Sequence, residues 1–405
     1  MRIIRKIRYI ERKFSRRLVH NISKFEKFCA DILYDRKVNN VTKTIALPLL
    51  ALSKIFKMAV RLRYWLYKKN VFLSQPLGCP IIVIGNLTVG GTGKTPVVEK
   101  FARELNERGR RVAILSRGYK SKQESKIRSF FRWLTHAKER PPRVVSNGQR
   151  ILIGPERAGD EPYMLAKNLP GVVVIVDKDR VKAGRYAIKK YGANLLILDD
   201  GFQYLPLRGH MNILLIDQTN PFGNKRLLPR GILREPIDHI NRASYVMLTK
   251  SNIADDPNIV ETIHKYLPNV GIIKCFHGPK FFAEVNNEDH KENVSLVANE
   301  KICAFSGIAM PDSFENFLTS NGANLVYKKR FIDHHKFTRD ELDHIFTVAL
   351  YKKAKYVITT EKDAVRIPKD YVCALPTFFL KIEIKILDGA ELLDQAITKF
   401  ITKYD

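Results

Sequence analysis

Downstream of Pro80, short apolar runs alternate with stretches in which apolar residues recur every three or four positions. The run Pro80 to Gly85 (PIIVIG) reads as a buried strand, followed by a glycine-rich turn and a helix ending near Gly109. Similar runs return at Val112 to Ser116, Val172 to Val176, Leu195 to Asp199, Ile213 to Asp217 and Tyr245 to Thr249, with helical patterns between most of them. Uninterrupted apolar strands alternating with helices predict a parallel, doubly wound sheet covered on both faces. From about Phe281 to Lys301 the periodicity fades into Asn, Glu, Asp and Lys, which predicts a linker. A second series follows, with a strand at Ile302 to Phe305, a helix near Asp312 to Ser320, a helix opened by Thr338 and a strand at Tyr356 to Thr359. Glu341, three positions after Thr338, completes a capping-box pattern. The predicted organisation is an arm over residues 1–70, a core over 71–280, a linker over 281–301 and a smaller α/β lobe over 302–405. No internal repeat is visible.

The arm has its own pattern. Residues 1–40 carry twelve Lys or Arg against four Asp or Glu, mixed with Ile3, Ile4, Ile7, Tyr9, Phe14, Leu18 and Val19, which suggests a basic amphipathic helix. The most apolar stretch, Thr44 to Tyr67, is cut by Pro48, Lys54, Lys57, Arg61 and Arg63, far short of the ~20 uninterrupted residues a spanning helix needs. Two readings stay open: a helix lying in the membrane interface, apolar on one side and cationic on the other, or a core helix with a solvated basic face. Near an anionic leaflet each cation adds about 1 kcal/mol of attraction.

Composition narrows the field. The chain has 405 residues, 45% of them hydrophobic, enough for more than one core. Lys and Arg number 70 against 41 Asp and Glu, so the net charge is 70 − 41 = +29 and a polyanionic partner is expected: nucleic acid, an acidic membrane face or a phosphorylated substrate. Five widely spaced cysteines suit neither a zinc site nor a disulfide framework and point to a reducing compartment. Arg2, Arg5, Lys6 and Arg8 interrupt any export signal, so the cytoplasmic side is expected.

The strongest chemical signal is Thr88-Val89-Gly90-Gly91-Thr92-Gly93-Lys94-Thr95, after a strand and opening a helix. Backbone amides of such a loop can point into a phosphate, Lys94 can neutralise the outer phosphates, and the Thr95 hydroxyl can bind Mg²⁺. The strict pattern has Gly where this chain has Thr88. The carboxylates Asp199 and Asp200 close a buried strand, where a metal-binding acid belongs; the other reading is a helix cap or turn. Gln203 and Tyr204 follow the turn and could face a substrate. Asp160 and Glu161 stand at a helix start, where the residues alone favour capping over catalysis. Asp333-His334-His335 precedes a helix, and such a pair is more often structural than catalytic, although a histidine beside a carboxylate is what proton transfer needs. Arg230 and Arg234 lie in a Gly/Pro loop suited either to phosphate oxygens or to plain solvation.

Together these pieces resemble the tetraacyldisaccharide 4′-kinase family, the lipid A 4′-kinases of Gram-negative envelopes. The matching segments are GNLTVGGTGKT (85–95), LSRGY (115–119), AGDEPYMLA (158–166), Asp179-Arg180, LDDGFQ (198–203), LLPRGILREP (227–236), FSG (305–307), Asp333-His334 and TTEKDAVRI (359–367), in the family's order. The family also has Ser or Thr at the position of Thr88. The resemblance implies ATP-dependent phosphorylation of the 4′-hydroxyl of a tetraacyldisaccharide 1-phosphate at the cytoplasmic face of the inner membrane, by a P-loop NTPase-like α/β fold of two lobes with a membrane-associated N-terminal helix. It implies that Asp160 takes the hydroxyl proton with His334 as its dyad partner, that Lys94 braces the phosphoryl group, and that Thr95, Asp199 and Asp200, with Glu161 as a further candidate, hold Mg²⁺. Arg180, Gln203, Arg234 and Glu235 match positions that shape the cleft. The expected partners are the lipid substrate and an anionic membrane surface, with no nucleic acid and no protein partner.

Two departures stand out. The family has His after LDDGFQ where this chain has Tyr204, and the basic extension before about Asn40 exceeds what the family needs. The rival readings are a membrane-bound MinD or ParA-like switch ATPase, whose loop begins KGG where this chain has Val89 before Gly90, and a nucleic-acid-binding NTPase, which has the charge but no aromatic RNA-binding motif.

Overall fold

A computed structural model describes residue 33 and residues 40–118, 140–251 and 256–404. The basic helix expected before Asn40, Cys29 and Tyr119 of the LSRGY segment lie outside the described residues.

The chain forms two compact units. The smaller comprises the arm up to Phe72 together with Leu87–Gly90 and Asn220–Asn241. Its helix α1 (Asn40–Lys68) runs through Pro48. Ala51, Ile55, Met58, Leu62 and Trp65, spaced three and four apart, form an exposed stripe on it, while Ser53 is buried and Tyr64 half-buried on the packed side. Among the described residues no helix is long and apolar enough to cross a membrane.

The larger unit comprises Leu73–Asn86, Gly91–Thr219 and the chain from Arg242 onward. Its elements are, in order, β1 (Ile81–Asn86), α2 (Lys94–Glu107), β2 (Val112–Ser116), β3 (Arg143–Asn147), α3 (Pro155–Ala158), α4 (Asp160–Asn168), β4 (Val173–Val176), α5 (Arg180–Tyr191), β5 (Leu195–Asp199), β6 (Met211–Asp217), β7 (Tyr245–Thr249), α6 (Pro257–Tyr266) and β8 (Gly271–Glu284). There follow β9 (Lys291–Glu292), β10 (Lys301–Ser306), α7 (Pro311–Ser320), β11 (Asn324–Arg330), α8 (Arg339–Tyr351), β12 (Tyr356–Thr360), α9 (Glu361–Ala364), β13 (Thr377–Asp388) and α10 (Ala390–Lys403). All the strands join one sheet in the order β11-β10-β12-β13-β8-β7-β6-β1-β5-β2-β4-β3, with β9 beside β8. The sheet is parallel apart from the β13–β8, β4–β3 and β8–β9 pairs.

Successive side chains of a strand point to opposite faces, and both faces here are covered. Ile82 and Ile84 pack with Val97, Phe101 and Leu105 of α2 and with Leu393 and Phe400 of α10. Ile81 and Val83 pack with Val181, Ala183 and Ala187 of α5 on the other side. The second series repeats the plan, Phe305 and Val357 against Leu342 and Phe346 of α8, and Ile302 and Ile358 against Phe314 and Leu318 of α7. The expected capping box is present: the Glu341 amide donates to Thr338 Oγ1, and the Thr338 amide to Glu341 Oε2.

The expected linker and separate small lobe need correction. Phe281 to Glu284 are the end of the fourteen-residue strand β8, Val294–Val297 form a 3-10 turn, and both α/β series share the one sheet. The reason is a long antiparallel ribbon in which Phe378 pairs with Glu284 and, at the far end, Asp388 with Lys274. It buries Phe282 completely, in a stretch where the sequence pattern is mostly polar.

Candidate functional site

At the sheet's centre β1 lies between β5 and β6, and its carboxyl end leads into the glycine loop. Gly93 caps α2 with φ 74°, a left-handed conformation that favours glycine. A Cβ there would stand 1.9 Å from His277 Nε2, so the loop is also closed to any larger residue. No side chain caps the helix, which leaves its first amides for an anion. Thr92 Oγ1 is buried without a hydrogen-bond partner, while the Thr92 carbonyl accepts from Thr249 Oγ1 at 3.1 Å. Lys94, first residue of α2, reaches back to Asn86 Oδ1 at 3.2 Å and to Asp200 Oδ1 at 3.5 Å. Asn86 is fully buried at the end of β1, and its carbonyl accepts from Gln203 Nε2 at 2.9 Å. The sequence singled out Lys94 and Gln203 but not the asparagine that joins them.

Asp199 ends β5 beside β1, and Ser116 Oγ, at the end of β2, donates to its Oδ2 at 3.0 Å. Burial, reinforced by the negative charges of Glu161 and Asp200, pushes the Asp199 carboxyl up to about 7, and Lys94 and Ser116 offset only part of this. Asp200 itself has φ 52°. This clustering of carboxylates next to a phosphate loop is the donor chemistry that suits a hard cation. Among the described residues no group of three or more His, Cys, Asp or Glu side chains is placed to hold a metal ion. Mg²⁺ does not need one, since it takes one or two carboxylates together with phosphate oxygens and water.

Asp160 is the first residue of α4, capped by Gly159 with φ 92°. Its carboxylate makes no cap. Asp160 Oδ2 is instead 3.0 Å from His334 Nδ1 and accepts from Arg366 Nε at 2.8 Å. Burial pushes this carboxyl up, but the His334 bond and the Arg366 guanidinium outweigh it and hold the group below the usual carboxylate range. The neighbouring Glu161 turns to Lys362 Nζ at 3.0 Å. Lys362 is 3.5 Å from His334 Nε2, so both ring nitrogens of His334 face charged groups. Arg366 and Lys362 belong to the TTEKDAVRI segment, and no role was assigned to either from sequence.

Arg180 opens α5, buried against the Tyr204 ring with its guanidinium carbon 4.5 Å from the ring centre. The Tyr204 hydroxyl accepts from the Arg180 amide at 3.0 Å and donates to Asp179 Oδ1 at 3.2 Å, while Asp179 caps the helix through the Val181 and Lys182 amides. This gives Tyr204 a place: it caps α5 and supports Arg180. Burial pushes the Arg180 guanidinium down, and its buried Nε has no hydrogen-bond partner.

The remaining residues belong to the smaller unit. There Leu87–Gly90 lines up with the LREP loop: the Val89 amide donates to the Ile232 carbonyl, the Arg234 amide to the Leu87 carbonyl, and Thr88 bridges Leu233. Glu235 and His239, both buried, pair at 2.8 Å under the Tyr64 ring. Ser53 Oγ donates to the Leu227 carbonyl and Arg61 pairs with Asp238, so α1 is fastened to this loop along its length. His239 gave no signal in the sequence, because its role depends on a helix far away in the chain.

Comparison with known proteins identifies the family. Residues 45–402 match the family model described as tetraacyldisaccharide-1-P 4'-kinase, LpxK. A tetraacyldisaccharide 4'-kinase of Syntrophus aciditrophicus is 36% identical over 350 residues, covering 84% of this chain and 89% of that protein. The one from Halothermothrix orenii is 33% identical over 393 residues, covering 93% and 98%. The crystal structure of the "apo" form of LpxK from Aquifex aeolicus in complex with ATP superposes with a TM-score of 0.70 at 29% identity, covering 88% of this chain and 99% of that one. This chain belongs to the tetraacyldisaccharide 4′-kinase family.

Proposed function

We propose that this protein transfers the γ-phosphoryl group of ATP to the 4′-hydroxyl of tetraacyldisaccharide 1-phosphate, a step of lipid A biosynthesis. Family membership does not favour the switch-ATPase reading. The observation that carries the assignment of residues is the Asp160 carboxylate, bonded to His334 at 3.0 Å and kept ionised, at the start of α4. In this reading Asp160 accepts the hydroxyl proton as the sugar oxygen attacks the γ-phosphorus, the bond from that phosphorus to the bridging oxygen breaks, and ADP leaves. His334 holds the carboxylate. Lys94 and the amides of residues 91–95 brace the charge of the transferring group; phosphoryl transfer is mostly positioning and charge neutralisation. Thr95, Asp199 and Asp200, with Glu161 beside them, would hold Mg²⁺, which neutralises phosphate charge when bound. Arg180 and Gln203 of the larger unit, and Arg234 and Glu235 of the smaller, match family positions that shape the substrate cleft.

The apolar stripe Ala51, Ile55, Met58, Leu62 and Trp65, bordered by Lys54, Lys57 and Arg61, supports peripheral docking on the cytoplasmic face of an anionic inner membrane. Neither nucleic acid nor a protein partner is part of this reading. The test supplies γ-labelled ATP and tetraacyldisaccharide 1-phosphate in detergent micelles. Label should pass to the lipid, whereas hydrolysis without labelled lipid would overturn the kinase reading. For the membrane part, Ile55→Glu with Leu62→Glu should abolish sedimentation with anionic vesicles and leave turnover on micellar substrate near wild type; unchanged sedimentation would remove α1 as the anchor.

A further inference from the structure

The FSG segment, singled out in the sequence, has no part in the chemistry described so far, and TTEKDAVRI enters it only through Arg366 and Lys362. They meet behind Asp160. Gly307, after β10, donates its amide to Asp363 Oδ2 at 3.1 Å and accepts the His334 amide at 3.2 Å. A Cβ on Gly307 would come within 3.2 Å of both Asp363 Oδ1 and the Ile332 carbonyl, so the approach depends on glycine. Asp363, fully buried, also accepts Thr360 Oγ1 at 2.6 Å. Into this frame fits Arg366, whose side chain is 3% exposed. Its NH1 group donates to the Gly307 carbonyl at 2.9 Å and to Asp363 Oδ1 at 2.8 Å, and its Nε donates to Asp160 Oδ2 at 2.8 Å.

The side-chain bonds of His334 and Arg366 to Asp160 land on one oxygen. His334 Nδ1 and Arg366 Nε share Oδ2, and among the described residues nothing bonds Oδ1. His334 cannot serve as the outer base in this arrangement, because its Nε2 faces Lys362 at 3.5 Å and Asp333 at 3.9 Å. A planar guanidinium fixed at three points is a rigid holder, and a carboxylate held through one oxygen presents the other in a set direction.

We propose that Arg366 is the positioning residue of the proton-accepting carboxylate: anchored by Gly307 and Asp363, it grips Oδ2 of Asp160 so that Oδ1 faces the acceptor hydroxyl. This rests on the reading of Asp160 as the proton acceptor. A misplacement of the reacting oxygen by about 1 Å costs on the order of 100-fold in turnover, so the grip is worth far more to the reaction than a surface ion pair.

The experiment is a double-mutant cycle, read with γ-labelled ATP on micellar tetraacyldisaccharide 1-phosphate. Arg366→Met should lower kcat by about 100-fold with KM for ATP within about twofold, because the phosphate loop is untouched. Arg366→Lys, which keeps one donor, should recover about tenfold of that loss. In an Asp160→Ala background, Arg366→Met should cost less than about twofold further, since there is no longer a carboxylate to aim. A loss of about 100-fold in that background too would make Arg366 part of the general scaffold and overturn the proposal, as would unchanged kcat in Arg366→Met. Should Arg366→Met fail to fold, wild-type kcat in a folded Arg366→Lys would overturn it equally. Near wild-type turnover of Asp160→Ala alone would instead remove the proton-acceptor reading on which the proposal rests.

Discussion

Around Asp199 the larger unit gathers negative charge faster than it neutralises it, and around Asp363 it does the reverse. Both carboxyls are buried, and burial pushes both up, Asp199 to about 7. Asp199 has one hydroxyl donor, Ser116, and two like-charged neighbours, Asp200 and Glu161. Asp363 has a guanidinium, a hydroxyl and an amide within 3.1 Å. The first group is incomplete as protein alone, the second complete. A site awaiting a cation and a polyphosphate has reason to hold unbalanced carboxylates, just as a frame meant to aim one side chain has reason to leave nothing unbalanced. The orphaned Thr92 Oγ1 and Arg180 Nε lie in the part that would meet nucleotide or substrate, whereas every donor of the Arg366 side chain named above has its acceptor.

The largest expected effect tests the incomplete side. Lys94→Ala removes a cation 3.5 Å from Asp200, and labelled-lipid formation should fall by about 10³-fold or more while the protein keeps its fold. A fall of less than about tenfold would mean the loop lysine is not what braces the phosphoryl group.

A sharper break comes from making the same substitution on each side. Asp199→Asn relieves like-charge crowding, so in EDTA and without nucleotide its thermal midpoint should match or exceed that of the wild type, although turnover is lost. Asp363→Asn leaves the Arg366 guanidinium short of a buried counter-charge and should destabilise by about 2 kcal/mol. Calorimetry of both variants decides it, and the comparison fails if both fall alike. The pH dependence follows from the raised Asp199 value. A carboxyl whose folded pKa lies near 7, above its unfolded value, binds its proton more tightly when folded. Its stabilising contribution is present at low pH and is lost as pH rises through about 7. The advantage of Asp199→Asn should therefore be greatest at pH near 8 and shrink towards pH near 5; a pH-independent difference would contradict the shift.

How far the sequence could foresee this division depends on the distance between partners. The glycine loop, the Asp199-Asp200 pair and the Thr338–Glu341 capping box are contiguous or nearly so, and the sequence alone singles them out. Asp160 was ambiguous because a carboxylate at a helix start has a local use as a cap, and the partners that claim it, His334 and Arg366, lie 174 and 206 positions away. Local pattern carries no information over such spans. The ribbon of β8 and β13 was missed for another reason. Leu380 to Ile386 alternates apolar and charged residues, a plain strand signal, but the end of the partner strand, Phe281 to Glu284, runs into Asn, Glu and Asp, where turn chemistry hid the strand. Asn86 could have been suspected, since a fully buried asparagine at the end of a central strand needs partners, but its burial shows only in the fold.

Tyr204 gives the finest test, because it asks whether cations on the incomplete side are set in place before any ligand arrives. Its hydroxyl and its ring do different work: the hydroxyl caps α5 through the Arg180 amide and Asp179, while the ring lies under the Arg180 guanidinium. Tyr204→Phe removes the cap and keeps the ring, whereas Tyr204→Leu removes both. Loss of the cap should cost either variant about 1 kcal/mol of stability, so their thermal midpoints should be close. Turnover should separate them. A cation–π contact of roughly 1 kcal/mol, lost only in Tyr204→Leu, lets the guanidinium leave its place against the ring, and kcat should fall by about tenfold, against about threefold or less for Tyr204→Phe. Equal turnover in the two variants would show that the ring does not hold Arg180 for the reaction, and that the incomplete side organises its cations only when the nucleotide binds.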